Sequence, residues 1–361
     1  MSRPHSGSTI LDIMLGSSRS VSGCGEVILG LRRHGHAGWP CSCGLAMEEC
    51  GFWREVRERV AADGTAWEEL AEASIDQSHK LRLPATWLAR AAPEDAAPPR
   101  FARLRRMTRQ LAAAVRAAGG RPVLLDSTKM PSRGLFLLRF MPEARLIHIV
   151  RDPRSVLASH WWRFPIKDTY LAKRRAYQGV LAPLAFVEAA GMWLLGNAMF
   201  ELIGRLDPSR TVRLRYEDIR DRPADELRRL GRALNLDLDD VVARLESGET
   251  FPVGHMIGGN DVRLEGKVRF DPGKEKRRER LPVAIEALTV LLCWPLMLRY
   301  GYPLRRGGGG ASGGKAAAPV KGTAVKGPAV KGKAANGTPA SGTGAPAAGA
   351  EGAGAGAGAG R

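Results

Sequence analysis

Two short stretches bring together residue types that can grip an anion. The first, Pro4-His5-Ser6-Gly7-Ser8-Thr9, is a turn of small and hydroxyl-bearing residues that runs straight into the apolar series Ile10, Leu11, Ile13, Met14 and Leu15. A phosphate-like group needs converging backbone N–H donors, small side chains that let it approach, and hydroxyls that complete its shell; a helix N-terminus adds favourable polarity. The turn offers all three, and it reads equally well as an ordinary helix cap. It is not a Walker A loop, because the Gly-x-x-x-x-Gly-Lys-Ser/Thr spacing is missing. The second stretch runs from His148 through Arg151-Asp152-Pro153-Arg154 to Ser159 and His160. Here a strand would deliver Arg151 at its end, Pro153 suits the first turn of a helix, and Ser159 follows two turns in. A guanidinium giving a forked contact and a hydroxyl adding one more bond suit a single phosphate, but spacing alone leaves that pairing open. Other reactive residues read as structure. Cys41-x-Cys43 with Cys50, near His34 and His36, suggests zinc, yet the spacing fits no common four-ligand pattern, so no metal is expected. Trp161, Trp162 and Trp193 read as core or pocket wall, and Arg277, Arg278 and Arg280 as a solvated charge run.

The elements that must hold these residues follow from periodicity. β-type runs at Pro122–Leu125, Arg145–Val150 and Thr211–Arg215 are each followed by a polar or Pro-containing turn and then helical sequence, at Ser132–Arg139, Pro153–Trp162 and Pro223–Leu234. Arg103–Ala118 reads as a helix stopped by Gly119-Gly120. Strands alternating with helices predict an α/β fold, a parallel central sheet flanked by helices, with ligands gathering where strand ends meet helix starts. The longest apolar stretch, Leu281–Leu298, contains Pro282, Glu286 and Pro295, which favours a buried C-terminal helix over a membrane span.

Taken together, these phrases resemble a known family. Arg151 to Ser159 closely resembles the 3'-phosphate-binding segment of sulfotransferases that use 3'-phosphoadenosine 5'-phosphosulfate (PAPS), and Pro4 to Thr9 resembles their 5'-phosphosulfate loop. Asp126-Ser127-Thr128-Lys129 is similar to the Asp-Ser-Ser-Lys phrase of bacterial members. Arg215-Tyr216-Glu217-Asp218 matches their Arg-Tyr-Glu-Asp turn, and Gly259-Asn260-x-x-Arg263 resembles their late loop. The likeness covers roughly residues 1 to 303. It implies a P-loop nucleotide-kinase-like sheet, PAPS as co-substrate, no metal requirement, and transfer to a hydroxyl or amine. It assigns Ser6, Gly7, Ser8 and Thr9 to the 5'-phosphosulfate, with His5 where most members have Arg or Lys. Arg151 and Ser159 fall to the 3'-phosphate, and Arg263 to a mobile loop that closes over the nucleotide. Lys129 is the candidate cationic stabiliser. Glu26 is the candidate base, because Cys24-Gly25-Glu26 resembles a phrase that holds the catalytic glutamate of tyrosylprotein sulfotransferases; the alternative is a structural partner for a nearby arginine. The family pattern places an apolar strand before the phosphosulfate loop, and the chain begins two residues before Arg3, so the first strand is expected to be missing.

Composition bounds the rest. From Arg305 to Arg361 the sequence is nearly all Gly, Ala, Pro, Ser, Thr and Lys. Such a segment cannot bury a core and is expected to be a disordered cationic tail beyond a domain spanning residues 1–304. The formal charge is +18; the tail holds eight basic residues against Glu351, a net +7, which leaves +11 to favour anionic ligands. Five cysteines, an odd number, and no signal-type N-terminus point to a reducing, cytoplasmic setting. The expected acceptor is a small molecule, carbohydrate, lipid or peptide, with no specific nucleic acid and no transmembrane segment. Two other functions compete: a small-molecule kinase, disfavoured by the missing Walker lysine, and a non-catalytic polyanion binder that would depend on the tail.

Overall fold

The computed structural model describes residues 6–33, 39–78, 99–163, 182–272 and 281–305, which belong to a unit spanning residues 1–306. The expectations for His5, His34, His36, the Arg277–Arg280 run and the tail beyond Arg305 lie outside them.

Helix α1 (Ser8–Gly16) is followed by β1 (Val21–Gly23), α2 (Val27–Arg33), α3 (Gly51–Ala62), α4 (Trp67–Ser78), α5 (Pro99–Gly119), β2 (Val123–Leu125) and α6 (Pro131–Phe140). Next come β3 (Leu146–Val150), α7 (Pro153–Arg163), α8 (Ala182–Gly204) and β4 (Thr211–Arg215). After α9 (Tyr216–Asp221), α10 (Pro223–Leu234) and α11 (Asp239–Glu246), two-residue strands β5 (Phe251–Pro252) and β6 (Lys267–Val268) precede α12 (Val283–Arg299).

The fold is mixed α/β, but the expected single central sheet is replaced by small ones. Strands β1 and β2 pair in parallel, Val21 beside Val123 and Gly23 beside Leu125. Strands β3 and β4 form a second parallel pair, from Leu146 beside Thr211 to Val150 beside Arg215, and β5 and β6 pair antiparallel. The predicted strands before α6, α7 and α9 are all present. The unforeseen partner is β1, whose three residues Val-Ser-Gly are too few and too polar to give an alternating pattern.

Burial explains why these elements fix the site. Leu11, Ile13, Met14 and Leu15 of α1 pack with Ile149 of β3, Leu214 of β4, and Leu227, Leu230 and Leu234 of α10. The turn before α1 therefore rests on a helix held by the core, and α10 shows the i, i+3, i+7 spacing of an amphipathic helix. The apolar helices α8 and α12 pack together through Phe186, Ala190, Trp193, Cys293 and Met297. By length and composition Leu184–Gly204 could cross a membrane, although its inner side packs as a core helix does. Helix α12 corrects the expectation of full burial: Val283, Leu291, Trp294 and Leu298 face outward, while a narrow stripe through Thr289, Cys293 and Met297 is buried.

Candidate functional site

The turn before α1 is shaped by one backbone conformation. Gly7 has φ +84°, the left-handed region, and a Cβ there would fall 2.1 Å from the Tyr216 ring. Only glycine suits both demands. Ser6, Ser8 and Thr9 are buried around it, and the first-turn N–H groups of α1 point back toward the turn. Thr9 Oγ1 accepts a hydrogen bond from the Asn260 amide at 3.1 Å, so the late Gly-Asn segment lies directly against the turn.

Arg151 stands at the end of β3 and is 4% exposed. Its guanidinium lies 4.6 Å above the Tyr216 ring centroid, a cation–π contact that orients the fork. Tyr216 thus touches both halves of the anticipated anion site, Gly7 at its edge and Arg151 on its face. Nothing in the Arg215-Tyr216-Glu217-Asp218 phrase itself signals this contact, which joins residues far apart in the chain. Ser159 is buried on α7, where its hydroxyl donates to the Ser155 carbonyl at 3.0 Å. Around Arg151 the turn is rigid. Asp152 takes three bonds from Nε and Nη2 of the buried Arg154 side chain, and Glu217 accepts from the Asp152 amide at 3.0 Å and the Tyr302 hydroxyl at 2.8 Å. Burial raises the Glu217 carboxyl above its ordinary pKa, against the pull of those two bonds.

The remaining candidates meet at the end of β2. Glu26 Oε1 accepts a bond from Lys129 Nζ, both half-buried, so the proposed base and the proposed cation are partners. The arginine partner anticipated for Glu26 is replaced by this lysine. Gly25, with φ +72°, turns the chain here, and a Cβ on it would strike the Gly258 carbonyl at 2.4 Å. The Ser127 amide donates to the Gly25 carbonyl at 2.9 Å and the Ile28 amide to Thr128 Oγ1 at 3.2 Å, locking the Cys-Gly-Glu turn to the Asp-Ser-Thr-Lys turn.

Beneath them lies a carboxyl that sequence reasoning missed. Asp12 is 1% exposed, and no hydrogen bond of normal geometry reaches either of its oxygens, although the Ser127 hydroxyl and Gly25 amide are close. Burial, aided by the Asp126 charge, pushes its pKa up to about 7 against the pull of Ser127, Gly25 and Lys129. Its place in the apolar face of α1 gave no sequence signal. Asp126 in turn faces the buried Arg133 at 3.6 Å.

Arg263, expected on a mobile loop that closes over the nucleotide, is buried. It is 4% exposed in a short 3-10 turn, Asp261–Glu265, and Nη1 donates to the Pro40 and Met256 carbonyls at 2.9 and 3.3 Å. Through Nη1 the guanidinium braces the late loop, while its buried Nε has no hydrogen-bond partner among the described residues. Burial lowers its pKa, with Cys41 and Glu26 near enough to oppose the shift. A surface cleft between Asp221, Pro223, Leu245 and Phe270 holds none of these residues.

The model of the sulfotransferase family matches residues 1–240. Among solved structures, the chain is similar to a sulfotransferase domain from the curacin biosynthetic pathway, with 18% identity and a TM-score of 0.49 over 84% of this chain and 96% of that one. It is also similar to the sulfotransferase domain of the Synechococcus PCC 7002 olefin synthase, with 20% identity and a TM-score of 0.44 over 84% and 94%. A comparison with curated proteins gives no match.

Proposed function

The chain belongs to the sulfotransferase family, and from that premise we propose that it moves a sulfuryl group from PAPS to a hydroxyl or amine of an acceptor, on a sheet of the P-loop nucleotide-kinase type. The catalytic domain in this reading spans residues 1–304, with 305–361 an appended cationic segment, in a reducing cytoplasmic setting.

The observation that carries the reading is the shared contact on Tyr216. One aromatic ring touches both Gly7 and Arg151, which supports their serving a common ligand. Ser6, Gly7, Ser8 and Thr9 would receive the 5'-phosphosulfate through hydroxyls and first-turn amides, with His5 beside them. Arg151 and Ser159 would receive the 3'-phosphate. The buried residues fit such a ligand in kind: a guanidinium can give an anion a forked, charge-assisted contact, and buried hydroxyls beside a helix N-terminus suit a second anionic group.

Sulfuryl transfer needs in-line geometry, neutralisation of charge on the leaving oxygen, and a base for the acceptor proton. Lys129 supplies the positive charge and pairs with Glu26 until an acceptor hydroxyl or amine takes the lysine's place. Glu26 then accepts the proton. Arg263 holds the late loop behind Glu26 and Thr9.

Incubation with sulfur-labelled PAPS and a panel of alcohols, phenols, sugars and amines tests the activity. Calorimetry with adenosine 3',5'-bisphosphate tests the donor site. Labelled product together with bisphosphate binding is expected. A folded sample that binds ATP more tightly than the bisphosphate would instead indicate a kinase.

A further inference from the structure

Outside the donor site, one cluster gathers soft ligands that the chemistry above does not use. Cys41, Cys43, Cys50 and His255 bring their ligating atoms within 4.8 Å of one another. His255 Nδ1 lies 3.3 Å from the Cys50 sulfur and 3.8 Å from the Cys41 sulfur. With Zn–S near 2.3 Å and Zn–N near 2.0–2.1 Å, a tetrahedral ion would separate sulfur from nitrogen by about 3.6 Å. The two measured gaps bracket that value. We propose that these four residues form a structural zinc site of the Cys3His type, which fastens the late loop to the catalytic turn.

The surroundings are built to hold the ligands in place. The Cys41–Gly44 turn is closed by hydrogen bonds from the Gly44 amide to the Cys41 carbonyl at 3.0 Å and from the Cys41 amide to the Leu45 carbonyl at 2.9 Å. Cys50 occupies the N-cap position of α3, so its sulfur is placed by a helix held in the core. Ser42 ties the turn to the histidine's own segment: its hydroxyl donates to the Gly254 carbonyl at 2.5 Å and accepts from the Met256 amide at 2.7 Å. Trp53 Nε1 donates to the His255 carbonyl at 2.8 Å, and the imidazole stacks on Phe52 at 4.8 Å. Three thiolates around one divalent ion leave a net charge of −1, and the buried Arg263, bonded to Pro40 and Met256 on either side, supplies the compensating cation. Four protein ligands leave no open position, which marks a structural rather than a catalytic site.

The consequence for the donor site is mechanical. Two residues past His255 the same segment presses Ile257 and Gly258 on the Cys24–Glu26 turn: the Ile257 amide donates to the Cys24 carbonyl at 3.0 Å, and Gly258 lies against Glu26. Asn260 then reaches Thr9.

The test is the metal content of the full chain purified without chelator under reducing conditions. The expected result is about one zinc per chain. After exchange into cobalt, the thiolate-to-metal charge-transfer band and visible bands of a tetrahedral site should appear. Cys43 is exposed, so Cys43→Ser should preserve the fold while lowering bound zinc at least tenfold under chelator challenge. Cys293→Ala, which alters a buried cysteine elsewhere, should keep it. Metal-free wild-type protein that takes up no cobalt, a Cys41–Cys50 disulfide in its place, or full zinc retention by Cys43→Ser would each overturn the proposal. Zinc content stands apart from nucleotide binding, so this result and the test of the proposed activity fail independently.

Discussion

The ends of β2 and β3 carry the same kinds of residue, carboxylates and cations at a strand-to-helix turn, and they are wired differently. After β3, the acids are spent on the protein itself. Asp152 is gripped by Arg154, and Glu217 is used by the Asp152 amide and Tyr302. What faces Tyr216 there is the guanidinium of Arg151, held by stacking. After β2, by contrast, the acids are in excess and incompletely satisfied. Asp12 has no hydrogen bond of normal geometry, Asp126 Oδ2 meets only the Arg133 guanidinium at 3.6 Å, beyond hydrogen-bond reach, and Glu26 pairs with Lys129. A rigid turn that carries a buried cation suits binding, while a turn rich in acids suits proton movement. In the proposed reaction, the turn after β3 is therefore expected to govern affinity and the turn after β2 turnover and pH dependence.

Glu26→Gln should sharpen that division most. Its kcat is expected to fall by about 10²- to 10⁴-fold, the usual reach of a general base, with bisphosphate affinity unchanged. An equal loss of affinity would erase the distinction between the two turns, and steady-state kinetics with calorimetry separates the cases. Asp12→Asn comes next and is read as stability. The folded chain holds the Asp12 proton up to about pH 7, while the unfolded chain loses it near the ordinary carboxyl value of 3.8. Between those values the folded state binds more protons, so wild-type stability should drop as pH rises through the window, by a few kcal/mol in total, roughly 1.4 kcal/mol per unit at most. The asparagine variant should lose that slope and melt higher than wild type at about pH 8. Identical slopes for the two proteins would show that Asp12 is satisfied by its neighbours. Ser159→Ala should have the smallest effect, weakening bisphosphate binding by about fivefold, the worth of one hydrogen bond of roughly 1 kcal/mol, with kcat unmoved.

Local strand–turn–helix units were legible because everything that defines them lies within a dozen residues. Val150 and Arg151 end a run of branched residues, Pro153 opens the helix, and the apolar spacing of α1 begins at Ile10. The small-residue turn could be read because Gly7 has no substitute at its φ. Features made by distant contacts were hidden. His255 joins Cys50 from 205 residues away, so local cysteine spacing looked incomplete. Lys129 meets Glu26 across 103 residues, and Arg263 looked like a lid because nothing nearby in the chain announces the Pro40 carbonyl that it holds. Strand β1 was invisible for a different reason: three residues carry too little pattern to outweigh a Ser and a Gly, and pairing with β2 decides their conformation.

The central claim is that Arg151 and the Gly7 turn hold opposite ends of one nucleotide across Tyr216. Calorimetry of wild type and Arg151→Ala with adenosine 3',5'-bisphosphate and adenosine 5'-monophosphate tests it directly. Wild type should prefer the bisphosphate by at least about tenfold, as a charge-assisted contact of roughly 1.5–3 kcal/mol allows, and Arg151→Ala should lose that preference while still binding the monophosphate. A folded Arg151→Ala that keeps the full preference for the bisphosphate would contradict the account.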